Sequence, residues 1–314
     1  MAVATSLGAS VKLLARSAAL FACLVPLTGA DAATHYLIVS GLGGQPEYAE
    51  RFEQQARDLA AAARASVTAD NVIELSGAAA TSEAIEAAFV TLSEATDASD
   101  SIAVFLLGHG SYDGEQYKFN IPGRDLDGER IAELLGSLTA GSVLVVNASS
   151  ASGAVLESWS ADGRTVITAT RSGAERNATR FGDYWSQALA SDAADINKNG
   201  VVTAREAFEF AERAVADSYA DDDALATEHP QLAGSGADAF IAARLMARAV
   251  ATPEQRALTG ELEALEEQIA DLRARRDTLE EDEYLNQLQS LLVELATTRR
   301  ELDAQTQTDD ASLD

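Results

Sequence analysis

The chain has 314 residues, 47% of them hydrophobic, which is enough for one sizeable domain with an appendage and too many for global disorder. Its 50 acidic residues against 23 Lys and Arg give a formal charge of −27. That balance excludes a nucleic-acid backbone as partner, because phosphate binding needs clustered cations, and it favours a soluble surface with cations as partners.

Residues 1–32 read as an export signal. Lys12 and Arg16 give a basic leader, Ser17 to Thr28 form a short apolar stretch, and Ala30-Asp31-Ala32 puts small residues where a signal peptidase reads. The apolar run is too short to cross a bilayer, and no later segment reaches the roughly 20 residues needed, so no transmembrane span is expected. The expected location is periplasmic or secreted. The alternative is lipid anchoring through Cys23, which follows Leu20-Phe21-Ala22. Cys23 is the only cysteine, so cleavage after Ala32 leaves a mature chain without disulfides or thiol chemistry.

From Thr34 onward, short apolar runs alternate with helical patterns. Strands are predicted at His35–Ser40, Val72–Leu75, Ile102–Leu107, Ser142–Asn147 and Thr165–Ala169, and helices at Glu47–Ala63, Glu83–Leu92 and Arg130–Leu138. Gly41-Leu42-Gly43-Gly44 lacks the lysine and spacing of a phosphate loop and reads as the exit turn of the first strand. Nearly continuous apolar strands separated by helices indicate an α/β domain with a mostly parallel sheet covered on both faces, spanning about residues 33–250. In such sheets function collects at the carboxyl ends of the strands, where His109 and Ser149-Ser150 fall.

Two motifs there carry a resemblance. The strand ending Phe-Leu-Leu-Gly-His109-Gly110, followed by one ending Asn147-Ala-Ser-Ser150-Ala-Ser-Gly153, resembles the legumain-type peptidases of the caspase-like fold group. The stretch Val166-Ile-Thr-Ala-Thr-Arg-Ser-Gly-Ala-Glu-Arg-Asn177 is similar to the strand and loop after the nucleophile in that family. The resemblance covers roughly residues 35–245. It implies a caspase-like fold, a catalytic histidine at His109, and an oxyanion donor in the N–H of Gly110. The family's motif Ala-Cys-x-Ser-Gly matches Ser149-Ser150-Ala151-Ser152-Gly153, so its nucleophilic cysteine falls on Ser150.

That departure decides the functional expectation. A thiol ionises near 8.5 and a neighbouring imidazolium makes it a thiolate, whereas a serine hydroxyl needs a general base in line, itself oriented by an acid. The expected protein is therefore a peptidase homologue, inactive as a cysteine peptidase, that binds a peptide or protein ligand. The alternative is a hydrolase using Ser150 with His109.

Asp195-Ile-Asn197-Lys-Asn199-Gly200-Val201-Val-Thr203-Ala-Arg-Glu206 fits the twelve-residue EF-hand loop. Side-chain oxygens fall at positions 1, 3, 5 and 12, Val201 offers its carbonyl at position 7, and Thr203 stands at position 9. Helical patterns flank the loop at Phe181–Ala190 and Ala204–Ala216. Thr203-x-x-Glu206 is also a capping box, which needs no metal, but capping does not account for Asp-x-Asn-x-Asn-Gly. Calcium is the expected cofactor.

Beyond Pro253 the composition changes. Leu258, Leu262, Leu265, Ile269, Leu272 and Leu279 form one seam, and Leu285, Leu288, Leu292, Leu295 and Leu302 a second, out of phase with the first. An antiparallel hairpin over 253–305, turning near Glu280 to Glu283, fits this phase change better than one stuttered helix. The Leu seams also offer a surface for self-association. Residues 306–314 read as an acidic tail.

Overall fold

The computed structural model describes residues 32–67, 69–245 and 253–310. The expected signal segment, Cys23 included, lies outside the described residues apart from Ala32.

In chain order the elements are β1 (Thr34–Ser40), α1 (Pro46–Ser66), β2 (Val72–Leu75), α2 (Ser82–Ala95) and β3 (Ser101–Leu107). Three short strands follow, β4 (Gly110–Tyr112), β5 (Tyr117–Phe119) and β6 (Leu126–Asp127), then α3 (Gly128–Gly136) and β7 (Ser142–Asn147). Next come α4 (Leu156–Trp159), β8 (Arg164–Thr168), α5 (Phe181–Ala188), β9 (Val201–Thr203), α6 (Ala204–Asp221), β10 (Gln231–Ala233) and β11 (Ile241–Arg244). The chain continues into α7 (Pro253–Ala274) and α8 (Glu281–Asp310).

The main sheet runs β10-β8-β7-β3-β1-β2, parallel throughout except for the antiparallel edge strand β10. Alternation along each strand splits the core in two. Ala103, Phe105 and Leu107 face the layer of α1, α5 and α6, packing with Leu59, Phe181, Trp185 and Phe208. Ile102, Val104 and Leu106 face the layer of α2 and α3, packing with Ile85, Phe89, Ile131 and Leu135. Both faces are thus covered, which is why the central strands are apolar at nearly every position rather than alternately. A buried aromatic such as Trp185, fully enclosed against Phe105 and Phe181, contributes about 3–5 kcal/mol by the usual truncation measure.

Local chemistry sets the helix starts. Pro46 opens α1, where a missing N–H is harmless. Thr81 Oγ1 accepts from Ala84 N at the start of α2, and Asp127 Oδ1 from Arg130 N at the start of α3. After the Ser150 turn the chain forms a single 3-10 turn, Ser152–Val155, before the four residues of α4.

β4, β5 and β6 form a small antiparallel sheet directly after β3, and β9 pairs antiparallel with β11. None of these was expected from the sequence.

The C-terminal helices fold back on one another, with the turn at Arg275–Glu280 slightly earlier than expected. On α7 the expected seam is the packed one, with Leu262, Leu265, Ile269 and Leu272 buried. The α8 seam is corrected: Leu285 and Leu292 are 51% and 43% exposed, and the inward face is Tyr284, Leu288, Leu291, Leu295, Thr298 and Leu302. That face keeps a 4-3-4-3-4 spacing and retains Leu288, Leu295 and Leu302 of the expected seam, but it contains a tyrosine and a threonine, so a search for leucines alone substitutes the exposed Leu285 and Leu292. α8 also continues to Asp310, past the tail boundary expected at 305.

Candidate functional site

The carboxyl ends of β1, β3, β7 and β8 meet at one end of the sheet. β3 ends at Leu107, and the chain turns through Gly108 into His109 and then into β4 at Gly110. The His109 ring stands edge-on to Tyr48 at 5.0 Å and to Phe52 at 5.1 Å, both on α1. Burial lowers its pKa below the ordinary imidazole value, a hydrogen bond with the Gly43 backbone works against that, and the Arg51 charge adds to it. His109 is therefore a neutral imidazole at neutral pH, positioned by aromatic rings and a backbone group.

β7 ends at Asn147, and the next three residues are almost wholly enclosed. Ser149 Oγ donates to Asn147 Oδ1 at 2.7 Å and lies 2.6 Å from the Tyr117 hydroxyl, which accepts from Asn147 Nδ2 at 3.0 Å. Burial raises Tyr117 to about 12, so the phenol stays neutral within this closed triangle.

Ser150 is 1% exposed, and among the described residues its Oγ is buried with no hydrogen-bond partner. Ala151 follows at φ +58°, the left-handed region, and its N–H donates to the Glu175 carbonyl at 2.8 Å. Left-handed backbone at a residue with a Cβ costs about 1–2 kcal/mol. The turn is then tied to the exit of β8, where Gly153 N donates to Thr170 Oγ1 at 2.8 Å.

Gly110 joins the two motifs. A Cβ built there would stand 2.3 Å from Ser150 O, 2.7 Å from Ser149 Oγ and 2.7 Å from the Tyr117 ring. Only glycine permits this approach. His109, Gly110 and Ser150, named from the sequence, are thus brought to one place through backbone contact, while the orphaned Ser150 hydroxyl makes no hydrogen bond to the imidazole.

A second pair at the same end was not anticipated. Glu175 Oε1 lies 2.6 Å from His229 Nδ1, and Glu175 Oε2 accepts from the N–H groups of Arg171 at 2.8 Å and His229 at 3.2 Å. This carboxylate fastens the loop after β8 to the segment leading into β10. Glu175 and His229 lie 54 residues apart, and although Glu175 falls in the stretch after β8 quoted above, no motif includes His229, so no sequence spacing links the two.

The residues of the calcium-loop pattern also come together. Asp195 Oδ1 accepts from Asn199 N at 3.1 Å and its Oδ2 from Gly200 N at 2.9 Å. Asn197 Oδ1 accepts from Asn199 N at 2.9 Å, and Asn199 Oδ1 from Val201 N at 3.1 Å. Gly200 sits at φ +84°, the sharp bend at position 6 where a side chain would be strained. Val201 and Thr203 lie in β9, paired to β11. Glu206 closes the loop: its Oε1 accepts from Ile196 N at 3.2 Å and its Oε2 from Thr203 N at 3.0 Å, completing the capping box that starts α6. The donor set of two carboxylates, two amides, a carbonyl and a hydroxyl is all oxygen, the chemistry a hard divalent cation takes. Among the described residues no three His, Cys, Asp or Glu side chains could hold a metal alone. A cation here would depend on the amides, the Val201 carbonyl and Thr203 as much as on Asp195 and Glu206.

Against this loop stands Glu266 of α7, whose two oxygens accept from Asn199 Nδ2 at 2.5 and 2.6 Å. Burial pushes its carboxyl up, as do the charges of Glu206 and Asp195, against the Asn199 hydrogen bonds and Arg299.

No protein-family model matches the chain, and no curated protein matches it. Among solved structures it is similar to a protein from Geobacter sulfurreducens, with a TM-score of 0.43 at 16% identity over 64% of this chain and 92% of that one. It is also similar to the Drosophila initiator caspase Dronc, with a TM-score of 0.40 at 12% identity over 65% and 79% of the two chains. A caspase is thus among the structural neighbours of this sheet, and likenesses this distant assign no activity.

Proposed function

We propose that the chain is an exported homologue of the legumain and caspase-type peptidases that binds a peptide at the carboxyl ends of its sheet without cleaving it, and whose EF-hand-like loop is held by calcium. The observation that carries the reading is Ser150. A nucleophile must reach its substrate and hand its proton to a base, and this hydroxyl is enclosed with no hydrogen-bond partner among the described residues. His109 is oriented by Gly43 and flanked by Tyr48 and Phe52, where a serine relay needs a carboxylate-held imidazole facing the hydroxyl. The alternative, hydrolysis by Ser150 with His109, lacks that support.

A broad peptide library offered to the mature protein tests the reading, with binding followed by fluorescence anisotropy and cleavage by mass spectrometry. Wild type and Ser150→Ala should bind the same peptides and release no product. Cleavage by wild type that Ser150→Ala abolishes would establish the serine hydrolase instead.

What supports calcium is the donor chemistry at Asp195, Asn197, Asn199, Val201, Thr203 and Glu206, together with the bend at Gly200. Calcium should raise the melting temperature by mass action. Glu206→Gln, which keeps a carbonyl oxygen for the cap, should remove most of that gain. A melting temperature indifferent to calcium and to chelator would reduce the loop to a cap.

A further inference from the structure

We infer that Glu266, on the C-terminal hairpin, is a positioning residue for the calcium loop, holding the Asn199 amide with its oxygen toward the loop and so coupling the docking of the hairpin to calcium binding. The inference rests on the calcium reading above and adds a regulated element to it.

The geometry around Asn199 carries it. Both Glu266 oxygens accept from Asn199 Nδ2, while Oδ1 of the same side chain accepts from Val201 N inside the loop. Only one orientation of the amide satisfies both neighbours, since the flipped form would set its oxygen against a carboxylate. Glu266 therefore fixes which atom position 5 presents to a cation. Its own place is set by packing, because Leu265 beside it and Ile269 one turn on are buried in the hairpin seam.

The rest of this junction is loosely filled. A cleft of about 600 Å³ separates loop and hairpin, walled by Arg205, Asp238, Arg273 and Leu292. The Asn199–Glu266 contact is therefore a specific tie across an open seam. Without a cation, Glu266 meets the negative charges of Asp195 and Glu206. A divalent cation among the loop oxygens reverses the sign of that field. Calcium should thus tighten the hairpin, and by linkage the docked hairpin should tighten calcium by the same factor. Partners that orient a metal ligand without touching the metal typically change affinity 10- to 100-fold.

Calorimetric calcium titration and hydrogen exchange of α7, both on the full chain, test this. In wild type, calcium should bind and should slow exchange along α7. Glu266→Ala should weaken calcium about tenfold and leave α7 exchange unresponsive to it. Glu266→Gln, which can still accept from Nδ2, should keep most of the affinity. Asn199→Asp is the independent check: it keeps a ligand oxygen but removes the N–H donor, so calcium should bind while α7 no longer responds. If wild type binds calcium but α7 exchange ignores it, or if Glu266→Ala binds as tightly as wild type, the coupling is wrong and the calcium loop stands. If wild type shows neither heat nor a melting shift with calcium, both readings fall.

Discussion

The backbone of Gly110 rests on the carbonyl of Ser150, so close that an added methyl group would lie 2.3 Å from that oxygen. The two strand-end motifs are therefore not merely neighbours in the sheet; each limits what the other can be. Gly110→Ala must push apart two well-packed segments, and overpacking of this kind costs about 1–3 kcal/mol. A urea-unfolding midpoint lowered accordingly is the expected result, and an unchanged midpoint would show that the contact is soft.

Ser149 and Ser150 should respond oppositely to the same substitution. Ser149→Ala removes one hydrogen bond from each of Asn147 and Tyr117, which still bond to each other, at a cost of about 0.5–1.5 kcal/mol. Ser150→Ala removes a hydroxyl that is buried and unpaired, so it should be neutral or stabilising by up to about 1 kcal/mol. Calorimetric melting of the two variants separates them. Equal losses would mean that Ser150 has a partner in solution.

Acid should weaken the domain through two half-buried imidazoles. The folded pKa values of His35 and His109 are lowered chiefly by burial. For a base held neutral, the unfolded chain binds the proton more readily, so stability is fully present above the unfolded value near 6.5 and is lost as pH falls through it toward the folded value. Stability measured from pH 7.5 down to 5 should decline for wild type and decline less steeply for His109→Phe. Parallel curves would mean that His109 titrates normally.

The α/β architecture was legible because apolar strands and amphipathic helices differ in period, and His109, Gly110 and Ser150 were legible because their neighbours spell a motif. The Glu175–His229 clamp and the Tyr117–Asn147–Ser149 triangle were not, since each joins motif residues to a distant and individually ordinary one, His229 or Tyr117. The small strands β4, β5 and β6 are two or three residues long, too short for a two-residue period to rise above chance. On α8 Leu288, Leu295 and Leu302 of the expected seam lie on the packed face, while Leu285 and Leu292 do not, because that face runs through Tyr284, Leu291 and Thr298 between them.

That phase yields a direct comparison. Leu262→Ala removes a buried side chain from the hairpin seam and should cost about 2–5 kcal/mol locally. Leu285→Ala trims an exposed one and should stay within about 0.5 kcal/mol. Hydrogen exchange within α7 and α8 reads both, and a large effect at Leu285 would show that this row is covered in solution.

The short strand β11 gathers contacts from the far end of the chain. Tyr36 in β1 donates its hydroxyl to the Ala242 carbonyl at 3.1 Å across 206 positions, and Arg244 N donates to Ser66 Oγ at 2.8 Å across 178. The first strand and the first helix are thus completed by residues made late. A growing chain that stops short of residue 241 lacks the Ala242 carbonyl for Tyr36 and the Arg244 N–H for Ser66, whose hydroxyl still donates to the Ala62 carbonyl, and long-range closure of this kind is slow to form. β1 and α1 are therefore sealed only after β11 has been made.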